Sequence, residues 1–319
     1  MKKLFTLLSL FVLIGMSASV FAQTDSGTTP FVGSVHNYQI NEVSGSSVTY
    51  TWTVTTQADL GGTNLLTAGT VVSGSSATNS IELTWLAPDV TNDQIYYLHV
   101  DVQDDNECKN HKVMAIQPVN NFNLEIVNAE SDGTEMTSTD ATNYAICAPD
   151  IASIEWNGTD GGAGSVTAGN ATDFDYAYGS RVFYYKITVD GINLATTSWT
   201  PHFDVTQVAG TNADVAVDYY IGADLTSPTW VTETLAVGSD QFVAVGTDEG
   251  TLWVRITVDN KTGTPSTANE NTPNDNVFTC TLTNDSEDEN GNNPVDLGNG
   301  STIQTQTARP NTGTIQAID

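Results

Sequence analysis

The stretch Val48-Thr49-Tyr50-Thr51-Trp52-Thr53-Val54 alternates apolar and polar residues at every step. Because successive side chains of a β-strand point to opposite faces, its valines and aromatic residues share one face and its threonines the other. One face is therefore expected to lie in a hydrophobic core and the other in solvent. The same alternation returns at residues 80–85 and 95–102, between turns rich in Gly, Ser, Thr and Asn. The sequence thus predicts an all-β fold of half-buried antiparallel sheets.

The strand candidates fall into two groups along the 319-residue chain. Residues 31–119 hold about seven candidates in about ninety residues, the size of one immunoglobulin-like β-sandwich. Residues 121–308 hold about eleven more, so they form either one enlarged sandwich or two domains that meet near Gly210. We favour one, because the cysteine-bearing candidates at 144–147 and 277–282 are plausible partners. We therefore predict tandem immunoglobulin-like β-sandwiches at 23–120 and 121–308, followed by a tail at 309–319.

Several segments of the first group carry a family resemblance. A Tyr-Thr-Trp strand at 50–54 precedes Ser73-Gly74-Ser75, a second tryptophan strand at 80–85, a strand at 97–102 and an acidic hairpin that ends in Cys108. In this order they resemble a PKD-like domain over about residues 30–120. Such domains are immunoglobulin-like sandwiches of exported bacterial proteins, including surface and adhesin proteins associated with gliding and type IX secretion. The resemblance implies a spacer, adhesion or assembly role, since PKD-like domains are not catalytic.

Both ends of the chain bear on where the protein acts. Lys2 and Lys3 precede an apolar stretch at 4–14 and small residues at 17–22, the pattern of a secretory signal peptide over residues 1–22. The apolar stretch is too short for a membrane span, and Gln23 replaces the cysteine of a lipoprotein, so we expect a soluble exported chain. The C-terminal tail lacks the basic, strand-forming sorting domain of type IX cargo. The expected location is the cell surface, the extracellular space or the periplasm, reached by the general secretory route.

The net charge limits the class of partner. The chain has 38 acidic and 9 basic side chains, and removing the two signal-peptide lysines leaves 7 basic residues and a formal charge of −31. A nucleic acid or an anionic membrane surface would be repelled, because few Lys or Arg side chains are present to replace its counterions. A surface with this charge would attract cations. The alternative is that the charge only keeps an exported protein soluble and unassociated.

Three cysteines, Cys108, Cys147 and Cys280, would meet an oxidising compartment, so a disulfide is plausible. Cys280 shares an apolar strand face with Phe278 and Leu282, which makes Cys147–Cys280 the first choice. The alternatives are Cys108–Cys147, as a bridge between domains, and no bond. A cysteine nucleophile would need a neighbouring histidine, and the chain has only 4.

Two acidic clusters suggest calcium, because hard cations are bound by carboxylate and amide oxygens crowded onto a turn. The first cluster contains Asp101, Asp104, Asp105 and Glu107. The second, the main candidate metal site, contains Asp285, Glu287, Asp288, Glu289, Asn290, Asn292 and Asp296. Neither has EF-hand spacing, since an asparagine stands where the loop requires glycine. The alternative is that both clusters are solvated loops, and no cofactor other than Ca²⁺ is expected.

Aromatic residues offer another possible ligand surface. Tyr184, Tyr220 and Trp253 lie on the minority faces of their strands, where exposed rings can stack on sugars or anchor a protein partner. Packing beneath loops or a neighbouring domain is the alternative role for these rings.

The sequence contains no G-x-S-x-G, H-E-x-x-H or G-x-x-x-x-G-K motif, so we expect no enzyme. The predicted function is non-catalytic binding or assembly at the cell surface, in adhesion or as a scaffold associated with secretion or motility. The partner would be a protein or a glycan. One alternative is a structural subunit that polymerises through sheet edges. Another is a carbohydrate-binding or carbohydrate-active module.

Overall fold

The computed structural model describes residues 25–43, 47–59, 61–156, 174–208, 213–265, 267–270 and 274–310. The predicted signal peptide, the Gly-rich loop at 158–169, the possible boundary at Gly210 and residues 311–319 of the tail lie outside the described residues. The described part contains 21 strands and one four-residue α-helix, Leu65–Ala68 (α1). None of its helices is long and apolar enough to cross a membrane. The all-β prediction is confirmed.

Six strands form the N-terminal sandwich. They are β1 (Val35–Gln39), β2 (Thr49–Thr55), β3 (Val72–Ser73), β4 (Ser80–Trp85), β5 (Tyr96–Gln103) and β6 (Lys109–Ile116). One sheet has the order β1-β4-β3 and the other β2-β5-β6. These orders correspond to strands B-E-D and C-F-G of the immunoglobulin fold. The predicted immunoglobulin-like architecture is therefore present.

The core of the N-terminal sandwich follows the alternation seen in the sequence. In β2 the side chains of Trp52 and Val54 are buried, whereas those of Thr51 and Thr53 are more exposed. Trp85 at the end of β4 is fully buried, and its ring packs against Tyr96 at a centroid distance of 5.3 Å. A buried tryptophan of this size supplies a large share of the apolar area that stabilises a small sandwich.

Fifteen strands follow in the C-terminal part of the chain. They are β7 (Asn123–Ala129), β8 (Asn143–Cys147), β9 (Ser153–Trp156), β10 (Phe174–Ala177), β11 (Ser180–Asp190), β12 (Trp199–Thr200), β13 (His202–Val208), β14 (Asp214–Ile221), β15 (Val231–Leu235), β16 (Gly238–Phe242), β17 (Thr251–Asp259), β18 (Thr262–Gly263), β19 (Asn276–Leu282), β20 (Glu287–Asp288) and β21 (Ser301–Thr307). Two five-stranded sheets, ordered β15-β14-β17-β11-β7 and β16-β13-β19-β21-β8, face each other. Smaller sheets are β18-β10-β9 and β12-β20.

Strands from both sides of residue 210 share these two sheets and one core. Phe183 and Tyr185 from β11 pack with Val254 from β17 and with Phe278 from β19, and all four side chains are buried. The Tyr185 hydroxyl donates a hydrogen bond to the backbone oxygen of Phe278 at 3.2 Å, which joins the two sheets across the core. The described strands between residues 122 and 307 therefore share one hydrophobic core.

Both sandwiches contain parallel pairing between an early and a late segment. In the first, residues 28–32 run parallel to residues 117–119, through hydrogen bonds such as Gln117 N–H to the oxygen of Thr28. In the second, β8 is parallel to β21, and Asn123 forms a parallel bridge with Asp296. The neighbouring pairs β13–β19 and β19–β21 are antiparallel.

The junction between the sandwiches depends on two glycines with positive φ. Gly33 has φ of 82°, and a Cβ there would lie 2.7 Å from the Cβ of Asn193. Gly191 has φ of 77°, and its Cβ would lie 1.5 Å from the backbone oxygen of Asn121. Only glycine combines this backbone conformation with so close an approach. The two turns therefore pack backbone against backbone at the junction.

Candidate functional site

A cleft of about 830 Å³ opens along one side of the N-terminal sandwich. It lies where the edge strand of one sheet, β1, faces the edge strand of the other, β6. Residues Asn41 and Val43, which follow β1, extend one wall, and Asp104 and Cys108, which precede β6, extend the other. A volume of this size falls within the range of protein ligand sites.

The floor of the cleft is apolar and belongs to the core. It is formed by Tyr38, Trp52, Leu98, Val100 and Val102. Trp52 is 7% exposed, and its indole N–H donates to the backbone oxygen of Thr78 at 2.9 Å. Burial raises the pKa of the Tyr38 phenol, whose oxygen accepts a hydrogen bond from Trp85 Nε1 at 3.3 Å. The floor is thus held rigidly by packing and by hydrogen bonds that do not involve a ligand.

The cleft exists because the inward-facing row of β6 changes from apolar to polar. Ile116 is buried and Met114 half-buried, but Lys112 and Asn110 are exposed, although they pair with the core residues of β5 and share their face. A polar side chain cannot be sealed between two sheets without a partner, so the sandwich stays open at this end. The apolar residues of this part of the sequence predict a strand only from residue 112 onward, so the sequence did not reveal the cleft. The sequence feature that indicates the cleft is Lys112, which lies on the same strand face as the apolar Met114 and Ile116.

Both edges of the cleft offer backbone groups to a further strand. β6 pairs only with β5, and β1 only with β4, among the described strands. The parallel segment at 28–32 covers residues 117–119 and not the preceding part of β6. An edge strand presents a row of N–H and C=O groups that can pair with another chain.

The charge along β6 differs in sign from that of the whole protein. Lys109 and Lys112 line the cleft together with one carboxylate, Asp104. Asp104 Oδ1 already accepts hydrogen bonds from the backbone N–H groups of Asn106 and Cys108, at 2.9 Å each. In a chain with formal charge −29, two lysines on one edge form a local site for an acidic segment.

A chain of hydrogen bonds covers the outer face of the same sheet. Asp101 Oδ1 contacts His111 Nδ1 at 2.7 Å, His111 Nε2 contacts His99 Nδ1 at 3.0 Å, and His99 Nε2 contacts Thr55 Oγ1 at 3.1 Å. The order resembles that of a hydrolase triad, but the Thr55 side chain is buried and its hydroxyl lies 2.6 Å from the oxygen of Gln57. No substrate can reach this hydroxyl, so the chain of hydrogen bonds ties β2, β5 and β6 together.

The structure does not assemble the predicted calcium site from the second acidic cluster. Asp288 is buried, and its two oxygens accept hydrogen bonds from the backbone of Asn290 and from the backbone and side chain of Asn292, each at 2.9 Å. Glu289 Oε2 accepts from the backbone and hydroxyl of Ser198, at 3.1 and 3.2 Å. Asp296 Oδ1 accepts from the backbone of Gly298 at 2.9 Å. These carboxylates stabilise separate turns.

Asp285 and Glu287 are the other acidic members of that cluster, and Glu287 belongs to β20, where it pairs with Thr200 of β12. Among the residues that the structure describes, no three His, Cys, Asp or Glu side chains form a group that could hold a metal ion. In the first cluster, Asp101 contacts His111 and Asp104 caps its own turn. Local hydrogen-bond donors therefore contact carboxylates of both clusters, and calcium binding stays a prediction.

The predicted Cys147–Cys280 disulfide is not formed. All three cysteines are free thiols; Cys108 and Cys147 are exposed, and Cys280 is buried. The strand β21 lies between β8 and β19, and along it the partner of Cys147 is Thr307 while that of Cys280 is Thr302. This offset alone separates the two cysteines by about 16 Å, at 3.3 Å per residue, whereas a disulfide needs Cα atoms within about 7 Å. Cys108, on the N-terminal sandwich, is likewise not bonded to Cys147.

The aromatic side chains predicted on outer faces form a small cluster of their own. Trp253 is buried and donates from Nε1 to the backbone oxygen of Gly222 at 2.8 Å. Tyr184 and Tyr220 are half-buried, and both rings lie 6.0 Å from the ring of Trp230. The loop at 222–230 therefore covers these rings, which favours the packing alternative over a stacking surface for sugars.

Two charged pairs border this aromatic cluster. Arg255 donates from Nε and Nη2 to Asp218 Oδ2, at 3.1 and 2.6 Å, and its guanidinium lies 4.3 Å from the centre of the Trp230 ring. Lys186 Nζ contacts Glu135 Oε1 at 2.7 Å. The positive charges here are already paired, unlike the pair of lysines along the cleft, which borders a single carboxylate.

Comparison with known proteins gives only distant structural similarities. No protein-family model and no curated protein matches the sequence. Among solved structures, the titin domains Z1Z2 in complex with telethonin are similar at 11% identity and a TM-score of 0.32, over 89% of this chain and 92% of that one. Cadherin domains 1–4 of protocadherin gamma B7 are similar at 10% identity and a TM-score of 0.22, over 82% of this chain and 40% of that one. Carbohydrate-binding modules of the β-sandwich superfamily are similar at 10% identity and a TM-score of 0.20, over 76% of this chain and 90% of that one. Similarities at such low scores carry no argument about this protein.

Proposed function

We propose that this protein is an exported, non-catalytic binding and assembly protein that holds an extended segment of a partner protein in the cleft between β1 and β6. One observation carries the proposal: an apolar floor is flanked on both sides by strand edges with free pairing positions. A strand placed there would make main-chain hydrogen bonds along an edge, and its alternate side chains would enter the cleft. This is the mode of recognition known as β-strand addition.

The chemistry of the cleft favours a polypeptide over a glycan. Sugar-binding sites commonly present the face of an aromatic ring, but Trp52 is almost fully buried and its N–H is engaged with Thr78. Apolar floor residues and two lysines at the wall instead suit a segment that alternates apolar and acidic side chains. A carbohydrate partner remains the alternative candidate because the rim carries the amides of Asn37, Gln39, Asn41 and Asn110.

The absence of catalysis is part of the proposal. In the portion of the chain that the structure describes, the one triad-like set of side chains ends on the buried Thr55 hydroxyl. Burial raises the pKa of the Cys280 thiol, and its carbon and sulfur atoms are fully enclosed, so it is not a nucleophile for a substrate.

The setting of this function is also a proposal. The sequence pattern of residues 1–22 supports export, and the PKD-like pattern of the N-terminal sandwich supports a role at the cell surface, in adhesion or in a scaffold linked to secretion or motility. The formal charge of −29 disfavours contact with nucleic acids and anionic membranes.

A peptide-binding measurement tests the proposal. The probes are a fluorescein-labelled decapeptide that alternates isoleucine or threonine with glutamate, and the same peptide with lysine in place of glutamate. We expect anisotropy to rise on binding of the acidic peptide to the full chain, and the basic peptide to bind at least about tenfold more weakly. Soluble polysaccharides, added as competitors, are expected to leave the anisotropy unchanged.

Two tryptophan variants of β6 separate the cleft from the rest of the strand. Asn110→Trp fills the cleft, because position 110 shares the face of Val102, whereas Ala115→Trp places the same ring on the outer face. Binding should be lost in the first variant and kept in the second, with both folded by circular dichroism. Equal binding by the two variants, or binding of polysaccharide in place of peptide, would overturn the proposed function.

A further inference from the structure

The small sheet β18-β10-β9 ends in an edge strand with an unusual surface. All four residues of β9 are exposed, and the exposed fractions of Ile154 and Trp156 reach 56% and 57%. β9 pairs with β10 only, so its other edge is open among the described strands. Exposed apolar side chains on an open strand edge are normally avoided in a monomeric protein, because they promote association.

The hairpin of β9 and β10 is amphipathic in a way that specifies its partner. Trp156 pairs with Phe174 and Ile154 with Tyr176, so one face is entirely apolar. On the other face Glu155 pairs with Asp175. Two carboxylates directly opposite each other repel, and no basic residue lies on either strand. This face would gain from a neighbouring strand that carries positive charge.

Such a strand is present at the cleft of the N-terminal sandwich. If β9 is placed beside β6 with Ile154 and Trp156 facing the cleft floor, Glu155 lies on the outer face of the β2-β5-β6 sheet. Lys109 of β6 is on that same face. Lys112 would then border the apolar face, where its ammonium group can lie against the Trp156 ring. β6 has eight residues and β9 four, so β9 occupies about 13 Å of an edge twice as long.

We propose that β9 of one copy of this chain adds to the β6 edge in the cleft of a second copy. This inference rests on the proposed function and names the partner as the protein itself. The contact joins two different surfaces, so a pair of bound copies still offers a free cleft at one end and a free β9 at the other. Head-to-tail contacts of this kind build a linear assembly or close into a ring.

Complementation between two disabled variants tests the inference. Asn110→Trp blocks the cleft and keeps β9, and Trp156→Ser disables β9 and keeps the cleft. By sedimentation velocity of the full chain, we expect the wild type to form species that grow with concentration and each variant alone to stay monomeric. An equimolar mixture of the two variants should form a dimer and nothing larger, because only one productive contact is available to it.

Phe242→Ser provides the matched control. Phe242 is 58% exposed on another edge strand, β16, where it is stacked on His202, and its removal should leave self-assembly unchanged. A mixture that stays monomeric, or a Trp156→Ser variant that assembles like the wild type, would overturn the inference. If the wild type remains monomeric yet still binds the acidic decapeptide, self-assembly is refuted while the proposed binding function stands. If neither assembly nor peptide binding occurs, both fail.

Discussion

The state of the three thiols gives the sharpest test of the C-terminal sandwich. Cys280 has 0% exposure and lies on β19 between the inward-facing side chains of Phe278 and Leu282, while Cys108 and Cys147 are exposed. Addition of a thiol reagent such as dithionitrobenzoate to the native protein should therefore modify two thiols per chain promptly and leave the third.

The expected protection of Cys280 follows from its burial. The reactive species is the thiolate, and burial, together with the nearby Asp204 carboxylate, raises the pKa of the Cys280 thiol. Reagent reaches the sulfur only when the sandwich opens, which costs about 5 kcal/mol or more for a domain of ordinary stability. At about 1.4 kcal/mol per factor of ten, Cys280 should react about three to four orders of magnitude more slowly than an exposed thiol.

The assay counts released thionitrobenzoate in buffer and in guanidinium chloride. We expect two equivalents in buffer and all 3 cysteines after unfolding. Cys108→Ser and Cys147→Ser should each remove one fast equivalent, whereas Cys280→Ala should remove none. A single fast equivalent from protein prepared without reductant would indicate a disulfide and contradict the strand register. Three fast equivalents would contradict the burial of Cys280.

Three further predictions concern stability. Asp218→Ala should lower the free energy of unfolding in urea by about 1–3 kcal/mol, because it leaves the half-buried Arg255 guanidinium without its acceptor. The double variant Asp218→Ala/Arg255→Ala should lose less stability than the two single variants lose in sum. Burial raises the pKa of Tyr178 to about 12 from 10.0, so the folded state favours the neutral phenol. The contribution of Tyr178 to the free energy of unfolding should therefore be constant below about pH 9 and be lost between about pH 10 and 12. In urea unfolding, the stability of Tyr178→Phe should fall less steeply over that range. Gly191→Ala should destabilise the protein by more than about 2 kcal/mol in thermal melting, because the new Cβ would meet the backbone oxygen of Asn121. Gly69→Ala is the control: its φ is 63° and no atom lies within 4 Å of the new Cβ, so it should cost only the backbone strain of about 1–2 kcal/mol. Equal costs in the two variants would refute the role of the Asn121 contact.

Alternation alone located most strands because one face of each is buried. The run at 80–85 matches β4 residue for residue, and the candidate at 277–282 matches β19 to within one residue. The alternating residues at 199–205 predict one strand but form two, since Pro201 has no N–H for a sheet. Trp199 pairs with Asp288 before the proline, and Phe203 pairs with Leu282 after it. The two-residue strands β3, β18 and β20 were not predicted, because two residues are too few to show an alternation of apolar and polar side chains.

The candidate sites were less predictable than the strands because they depend on which strands meet. The apolar face of Cys280 was read correctly from Phe278 and Leu282, but no sequence pattern showed that β21 would lie between its strand and that of Cys147. The cleft arises from the divergence of two sheets, and only the exposed Lys112 in an inward-facing row signals it. Among the acidic residues at 285–296, the sequence did not show which carboxylates accept hydrogen bonds from their own turns, as Asp288 and Asp296 do.

The parallel pairing in the first sandwich has a mechanical consequence. Tension applied along the chain on either side of this sandwich would drag residues 28–32 lengthwise past residues 117–119, instead of peeling them apart from one end. The hydrogen bonds of such a patch share the load and must rupture together. Pulling on the two ends of this sandwich would therefore meet more resistance than if its terminal segments separated one hydrogen bond at a time.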